Sequence, residues 1–406
     1  MLDGPFPPWP SYTQEEADAV TRALMSNRVN YWTGQECRQF EREFAGYVGV
    51  QHAIAVANGT NALDLALKAL DIGPGDEVIV TSRTFLASAS SIVNAGASPI
   101  FADIDRDSQN ITAATVAPLI TPRTRAIIAV HLAGWPCEMD ELRALANDNH
   151  LALIEDCAQA HGARYHGNRV GSLGDIAAWS FCQDKIMTTG GEGGMVTTQN
   201  SELWQRMWAY KDHGKSWSAV YERQHPAGFR WLHESIGTNW RLTEMQAAIG
   251  RIQLGRMPEW KATRQAHARR IWNTAQELPG LRVPHIPAYI DHAAYKCYLF
   301  VEPEHLKAGW DRDRILHAIV SQGVPCFSGS CSEVYREKAF GPRGDHPGWH
   351  PATRRPVARE LGDTSLMFLC HPTLGAAELD RTCDVLESVM REACQRRDLP
   401  NGTPSL

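Results

Sequence analysis

The chain has 406 residues, more than one simple core holds, so a large domain with a smaller companion is expected. Hydrophobic residues make up 43% and charged residues 21%, and 40 Lys and Arg against 46 Asp and Glu leave a net charge of −6, which removes any electrostatic case for nucleic-acid binding. No apolar run reaches membrane-spanning length, no basic and then apolar leader opens the chain, and the ten cysteines form no C-x-x-C framework. The expectation is a cytoplasmic protein with reduced thiols and no structural metal.

Residues 1–12, rich in Pro and aromatics up to Pro10, read as an extended arm that is ordered only where it docks. Thr13-Gln-Glu-Glu16 has capping-box form and opens a helix carrying Val20 and Leu24. A second helix is predicted over 36–48, with Phe40, Phe44 and Val48 on one face. His52 to Ala57 reads as a buried strand. It runs through Asn58-Gly59-Thr60-Asn61 into an apolar helix from Ala62 to Leu70. A strand, a Gly turn and a helix start make an anion site, since free amides and the helix dipole favour a phosphate. A plain connection capped by Asn58 fits that stretch as well.

Strands follow at Glu77–Thr81, Pro99–Asp103, Ala126–His131 and Leu151–Glu155, with helices at Ala87–Ala95 and Met139–Asn147 between them. Phe85 follows a strand's carboxyl end, where it could stack on a planar ligand or simply be core. Asp156 follows another, where a helix cap is the ordinary role. A strand ends at Ser180-Phe181. A turn then presents Lys185, and Gly190, Gly191, Gly193 and Gly194 surround Glu192 before the next strand begins at Met195. A loop lysine beside other cations or out of water becomes a nucleophile able to form a Schiff base. Taken alone, an exposed loop lysine beside a Gly-rich hairpin explains it equally.

A long polar loop over 204–240 holds His213-Gly214 and Asn239-Trp240-Arg241. Thr243-x-x-Gln246 caps a helix through Ile252, Pro258 marks a boundary, and a second helix is predicted over 260–278. Beyond it come a strand from Tyr295 to Val301, a helix over 312–322, a short strand at Val324–Phe327, a loop over 341–356 and a final helix with Leu379, Cys383, Leu386 and Met390 on one face. The expected division is an arm (1–12), a large domain (13–258), a small α+β domain (259–397) and a tail (398–406).

Strands alternating with helices imply an α/β domain with a mainly parallel sheet, whose ligands gather at the strands' carboxyl ends. Asn58, Phe85, Asp156 and Ser180 all fall there. A lysine, a carboxylate, a phosphate turn and a stacking aromatic at one sheet edge fit pyridoxal 5'-phosphate (PLP). Lys185 would hold the cofactor and Asp156 would keep its ring nitrogen protonated.

The same segments resemble the DegT/DnrJ/EryC1/StrS family of sugar aminotransferases, of the aspartate-aminotransferase fold (fold type I). The likeness covers nearly the whole chain. It rests on Trp32-Thr33-Gly34, Asn58-Gly59-Thr60-Asn61-Ala62-Leu63, Gly75-Asp76-Glu77-Val78, Glu155-Asp156 through Gln159 to His161-Gly162-Ala163, Ser180-Phe181 with Lys185 and Gly191-Glu192-Gly193-Gly194, His213-Gly214, and Gly237 through Asn239-Trp240-Arg241 to Ala248. The resemblance implies PLP fold type I, with a seven-stranded, mainly parallel sheet between helices. It implies Gly59, Thr60 and Ser180 on the cofactor phosphate, Gln159 at its phenolic oxygen and Phe85 on its ring. Asn239 would reach the phosphate of a neighbouring subunit in a homodimer, and Arg241 and Tyr295 would line the sugar side. Asn58 departs from the family's common serine, and the segment Phe327 to Tyr335 has no assignment.

The implied reaction is a ping-pong transamination from L-glutamate to a keto-sugar, a nucleotide-linked 4-keto-6-deoxyhexose or a 3-keto relative. A keto-cyclitol acceptor is the alternative within this chemistry. A PLP-binding regulator without turnover is the alternative outside it, and the intact Lys185, Asp156 and Gln159 speak against that reading. Family members that act as dehydratases carry histidine in place of the lysine, and this chain keeps Lys185.

Overall fold

The computed structural model describes residues 6–225, 228, 230–340 and 354–394. Seven strands form the large sheet: β1 (His52–Val56), β2 (Glu77–Thr81), β3 (Ser98–Ala102), β4 (Thr124–Val130), β5 (Ala152–Asp156), β6 (Ile176–Ser180) and β7 (Gly194–Thr198). Their order is β1-β7-β6-β5-β4-β2-β3. The five from β6 to β3 are parallel, and β7 runs antiparallel to both β1 and β6. All five residues of β2, and all five of β6, are buried, as expected of strands covered on both faces. The helices α1 (Gln14–Met25), α2 (Glu36–Val48), α3 (Gly59–Ala69), α4 (Ala87–Asn94), α5 (Met139–Asp148) and α6 (Ser201–Tyr210) belong to this part of the chain. The fold class is α/β with a seven-stranded, mainly parallel sheet, as the sequence led us to expect.

The two helices predicted on either side of Pro258 are one. Helix α7 runs unbroken from Glu244–Gln276, with Pro258 inside it. An interior proline removes one backbone hydrogen bond and costs about 3 kcal/mol in an isolated helix. Packing offsets this: α7 lies against α1, α2 and the C-terminal helix α10 (Ala376–Ala393), and buries Leu254 and Met257 before the proline and Ala268, Ile271 and Trp272 after it. The expected boundary after residue 258 therefore falls in mid-helix. The first half of α7 packs in the core of the large sheet, and the second half packs in another core with Leu299, Leu366, Phe368 and Leu386.

That second core lies on a small antiparallel sheet ordered β8 (Leu281–Arg282), β9 (Cys297–Val301), β11 (Ser365–Phe368), β10 (Cys326–Phe327). Helix α8 (Arg312–Ser321) and helix α9 (Pro356–Thr364) flank it. Neither α9 nor β11 was predicted. The loop expected over 341–356 lies mostly outside the described residues, and the tail from 398 lies wholly outside them. Strand β10 is shorter than predicted, because Pro325 cannot donate to a ladder. From Phe6 onward the N-terminal arm is docked: Phe6 packs on this second core, and the Pro8 carbonyl accepts from Thr373 Oγ1 at 3.0 Å.

Candidate active site

The turn after β1 is built for close approach. Asn58 caps α3, its Oδ1 accepting from the Asn61 amide at 2.8 Å, so the departure from serine preserves the cap. The first amides of α3, Gly59 and Thr60, have no intrahelical acceptor. A Cβ at Gly59 would stand 2.6 Å from Ser180 Cβ, and one at Gly194 would stand 2.4 Å from the Asn58 carbonyl oxygen. Glycine at these two positions thus lets the α3 turn, the end of β6 and the start of β7 touch backbone to backbone. The Ser180 hydroxyl accepts from Cys182 N at 3.3 Å, which leaves its own proton to donate. Two amides, a hydroxyl and a helix dipole at one point are the donor set of a phosphate site.

Asp156, at the end of β5, is buried. Its two oxygens accept from Ser88 Oγ (2.7 Å) and Ala158 N (3.1 Å), which holds the carboxylate in one orientation. Ser88 sits on α4, one turn beyond Phe85. The Phe85 ring is 69% exposed and lines a cavity of about 830 Å³. It is therefore not core, the commoner role for such a residue. Gln159 lines the same cavity. Its Oε1 accepts from Ala133 N at 2.8 Å, leaving its amide nitrogen as a donor.

Lys185 lines this cavity from the turn after β6, with its amide on the Cys182 carbonyl (3.0 Å) and its side chain 14% exposed. Its Nζ lies 3.8 Å from Asp184 Oδ1 and 5.4 Å from the centre of the Tyr295 ring. The Tyr295 hydroxyl donates to Asp184 Oδ2 at 2.5 Å. Burial alone would raise the Asp184 pKa, but Lys185, the Tyr295 hydroxyl and Lys296 outweigh it and hold the acid below its usual range. Burial, and then the Asp184 charge, push the Tyr295 hydroxyl well above its ordinary pKa, so it stays a neutral donor.

Asn239 and Arg241 sit on a segment bonded to the end of β1, where Val56 bridges Arg241 and Ala57 N donates to the Trp240 carbonyl at 2.9 Å. Asn239 pairs with Asp212 in an isolated bridge, and Arg241 Nη1 donates to the buried Asp212 Oδ1 at 2.7 Å. Neither lines the cavity around Lys185. The structure brings together Phe85, Gln159, Lys185 and Tyr295 in one cavity, and Gly59, Thr60 and Ser180 in the cradle.

Sequence reading missed several cavity residues. Trp9 comes from the arm, Asp184 from the Lys185 turn, Arg264 from α7 and Lys296 from the start of β9. Arg264 did carry a signal. It falls at helical spacing with the buried Met257, Ala268 and Ile271, so a charge interrupts an apolar stripe. The unassigned segment after Phe327 forms a cavity wall. Thr84 N donates to the Cys331 carbonyl (3.1 Å) and Val334 N to the Ser82 carbonyl (2.9 Å), which pins the segment to the end of β2. A buried group of metal-ligand types, His131, Glu155 and Cys157, is already occupied internally. His131 Nδ1 accepts from Cys137 N, so Nε2 carries the proton and donates to Glu155, leaving no lone pair on the ring.

The DegT/DnrJ/EryC1/StrS aminotransferase family matches residues 10–387, and the chain belongs to that family. It is a PLP-dependent aminotransferase. The solved aminotransferase of Psychrobacter cryohalolentis is 58% identical and superposes with a TM-score of 0.92 over 96% of this chain and 99% of its own. The GDP-perosamine synthase of Caulobacter vibrioides is 39% identical over 94% of this chain and 97% of its own length. A UDP-N-acetyl-3-dehydro-alpha-D-glucosamine 3-aminotransferase of Acidithiobacillus ferrooxidans is 36% identical over 89% and 90%.

Proposed function

We propose that this enzyme transfers the amino group of L-glutamate to a nucleotide-linked keto-hexose. The observation that carries the reading is the placement of Lys185, the uncovered Phe85 ring and the Gln159 amide around one cavity, with the phosphate cradle at the adjoining strand ends. The keto-sugar acceptor is supported by the relatives, whose names specify GDP- and UDP-linked sugars. Bound PLP supplies an electron sink and carries the amino group between the two substrates.

The roles follow from the donors present. Gly59 and Thr60 amides and the Ser180 hydroxyl hold the phosphate. Phe85 would stack on the cofactor ring, the Gln159 amide would donate to its phenolic oxygen, and Asp156, fixed by Ser88 and Ala158, would keep its ring nitrogen protonated. Lys185 Nζ would anchor the cofactor, and its free amine would move a proton to and from the donor's α-carbon. Asp184 and Tyr295 stand beside that amine and orient it. Asn239, which does not line this chain's own cavity, would reach the cofactor phosphate of a second copy, so the working unit is a homodimer, and Tyr295 lines the sugar side. The strongly exposed Trp231 and Ile236 on the preceding loop support an interface there. No helix among the described residues is long and apolar enough to cross a membrane, and all ten cysteines are free thiols. Both features support a cytoplasmic setting, where nucleotide sugars are made.

The test is the visible spectrum of purified protein with L-glutamate, beside Lys185→Ala. The expected result is a yellow protein that bleaches with glutamate and a variant that does neither. A yellow protein that ignores glutamate would remove that donor. A protein that stays colourless with added PLP would overturn the reading.

A further inference from the structure

Arg264 is the unexplained charge of this cavity. It is 2% exposed, and Trp9 covers it, with the guanidinium carbon 4.8 Å from the indole centre. Its Nη1 makes a long contact to the Tyr295 carbonyl (3.4 Å), and Cys370 lies beside it. Its Nε and Nη2 have no hydrogen-bond partner among the described residues. Leaving such donors buried and unmet is costly, and a guanidinium without a counter-charge costs more. Burial lowers the Arg264 pKa to about 10, which still leaves it charged at neutral pH.

Asp184's charge acts on Arg264, but neither carboxylate in the lining hydrogen-bonds it. Asp184 is taken by Tyr295 and Lys185, and the exposed Glu337 accepts from the Cys331 thiol at 3.6 Å. A second cation, Lys296, lines the same cavity, its Nζ 4.8 Å from the centre of the Tyr295 ring. The two unmet donors of Arg264 lie on one edge of the planar fork. That edge matches the two oxygens of a carboxylate in a bidentate pair. The cofactor phosphate is accounted for by the cradle at α3, on other strand ends.

We infer that Arg264, assisted by Lys296, is a carboxylate subsite of this cavity, binding a substrate carboxylate beneath Trp9. The inference rests on the proposed transaminase reading for the substrate's identity. Two sources have this chemistry: a carboxylate of the amino-acid donor, or a uronic carboxylate on the sugar acceptor.

The experiment is calorimetric binding to the PLP-loaded protein, with glutarate, UDP-glucuronate and UDP-glucose as probes. Proteins compared are wild type, Arg264→Gln, Arg264→Lys and Lys296→Gln. In Arg264→Gln at least one carboxylate probe is expected to weaken by about 10-fold or more, UDP-glucose staying within about 2-fold. Arg264→Lys should recover part of the loss, since it restores charge without the fork. Lys296→Gln should weaken the same probe by a few-fold, and it serves alone should Arg264→Gln fail to fold. Loss for glutarate assigns the donor, and loss for UDP-glucuronate over UDP-glucose assigns the acceptor. Unchanged binding of both carboxylates, no wild-type binding of either, or equal weakening of UDP-glucose would overturn the subsite. Binding needs no turnover, so a protein that binds glutarate through Arg264 yet ignores glutamate would refute the donor and leave the subsite standing.

Discussion

The indole nitrogen of Trp9 donates to the backbone carbonyl of Lys185 at 2.7 Å, joining the N-terminal arm to the turn that carries the amine. The same indole packs edge-on to Trp260 (5.0 Å) and stacks on His371 (6.1 Å). Trp9→Phe keeps much of the apolar contact and deletes the donor. One net hydrogen bond contributes about 1 kcal/mol. The glutamate half-reaction, followed by loss of yellow absorbance in stopped flow, is expected to slow by roughly 5-fold with cofactor content unchanged. An unchanged rate would show that the turn holds its place without the arm.

Gly59 tests the cradle. Alanine there places a methyl 2.6 Å from Ser180 Cβ, and Ser180 is fixed on a fully buried strand. Gly59→Ala is expected to weaken PLP binding by more than about 10-fold, read by fluorescence titration of apoprotein. Ser180→Ala keeps the space and loses only a hydroxyl, so a loss of about 5-fold is expected. Retention of PLP by Gly59→Ala would place the phosphate elsewhere.

Arg83 ties the end of β2 to the small sheet. Wholly buried, it donates to Gln109 Oε1 (2.9 Å), Ser332 Oγ (2.6 Å) and Ser365 Oγ (2.9 Å). Arg83→Met fills the volume but strands three acceptors, and a loss of about 3 kcal/mol is expected in urea unfolding. A change under about 1 kcal/mol would mean that these groups find other partners.

Acid stability follows from three buried histidines. Burial pulls His161, His292 and His371 from 6.5 to about 3. Between those values the unfolded chain binds protons that the folded chain refuses, so stability is whole above about 6.5 and declines as pH falls toward 3. Thermal unfolding is expected at lower temperature at pH 5 than at pH 7. The His161 ring packs among aromatics, 5.3 Å from Trp179 and 5.7 Å from Phe181 between centres, a setting that a phenyl ring also fits. His161→Phe should therefore fold and flatten the acid slope by up to about 1.4 kcal/mol per pH unit. An unaltered slope would show that His161 takes up its proton in the folded state.

Much of the site was legible because a parallel sheet collects its strand ends on one edge. Once β1, β2, β5 and β6 were read from their apolar runs, Asn58, Phe85, Asp156 and Ser180 had to share that edge, and Lys185 had to hang from it. Local chemistry settled the rest of what was legible: the Asn58 cap, and the Thr243–Gln246 capping box that opens α7. Sequence by itself thus determined the fold class and the family, and set Lys185 at that edge as the candidate amine. Tertiary structure decided what depends on segments far apart in the chain. A helix that continues through Pro258 does so because packing along its length outweighs a local penalty. Trp9 reaches Lys185 across 176 positions, and Arg83 reaches Ser365 across 282. Whether Arg264 is met or left unmet depends on every neighbour that folding brings to it. Local propensity acts within a few residues, whereas burial and hydrogen-bond satisfaction are properties of the assembled core.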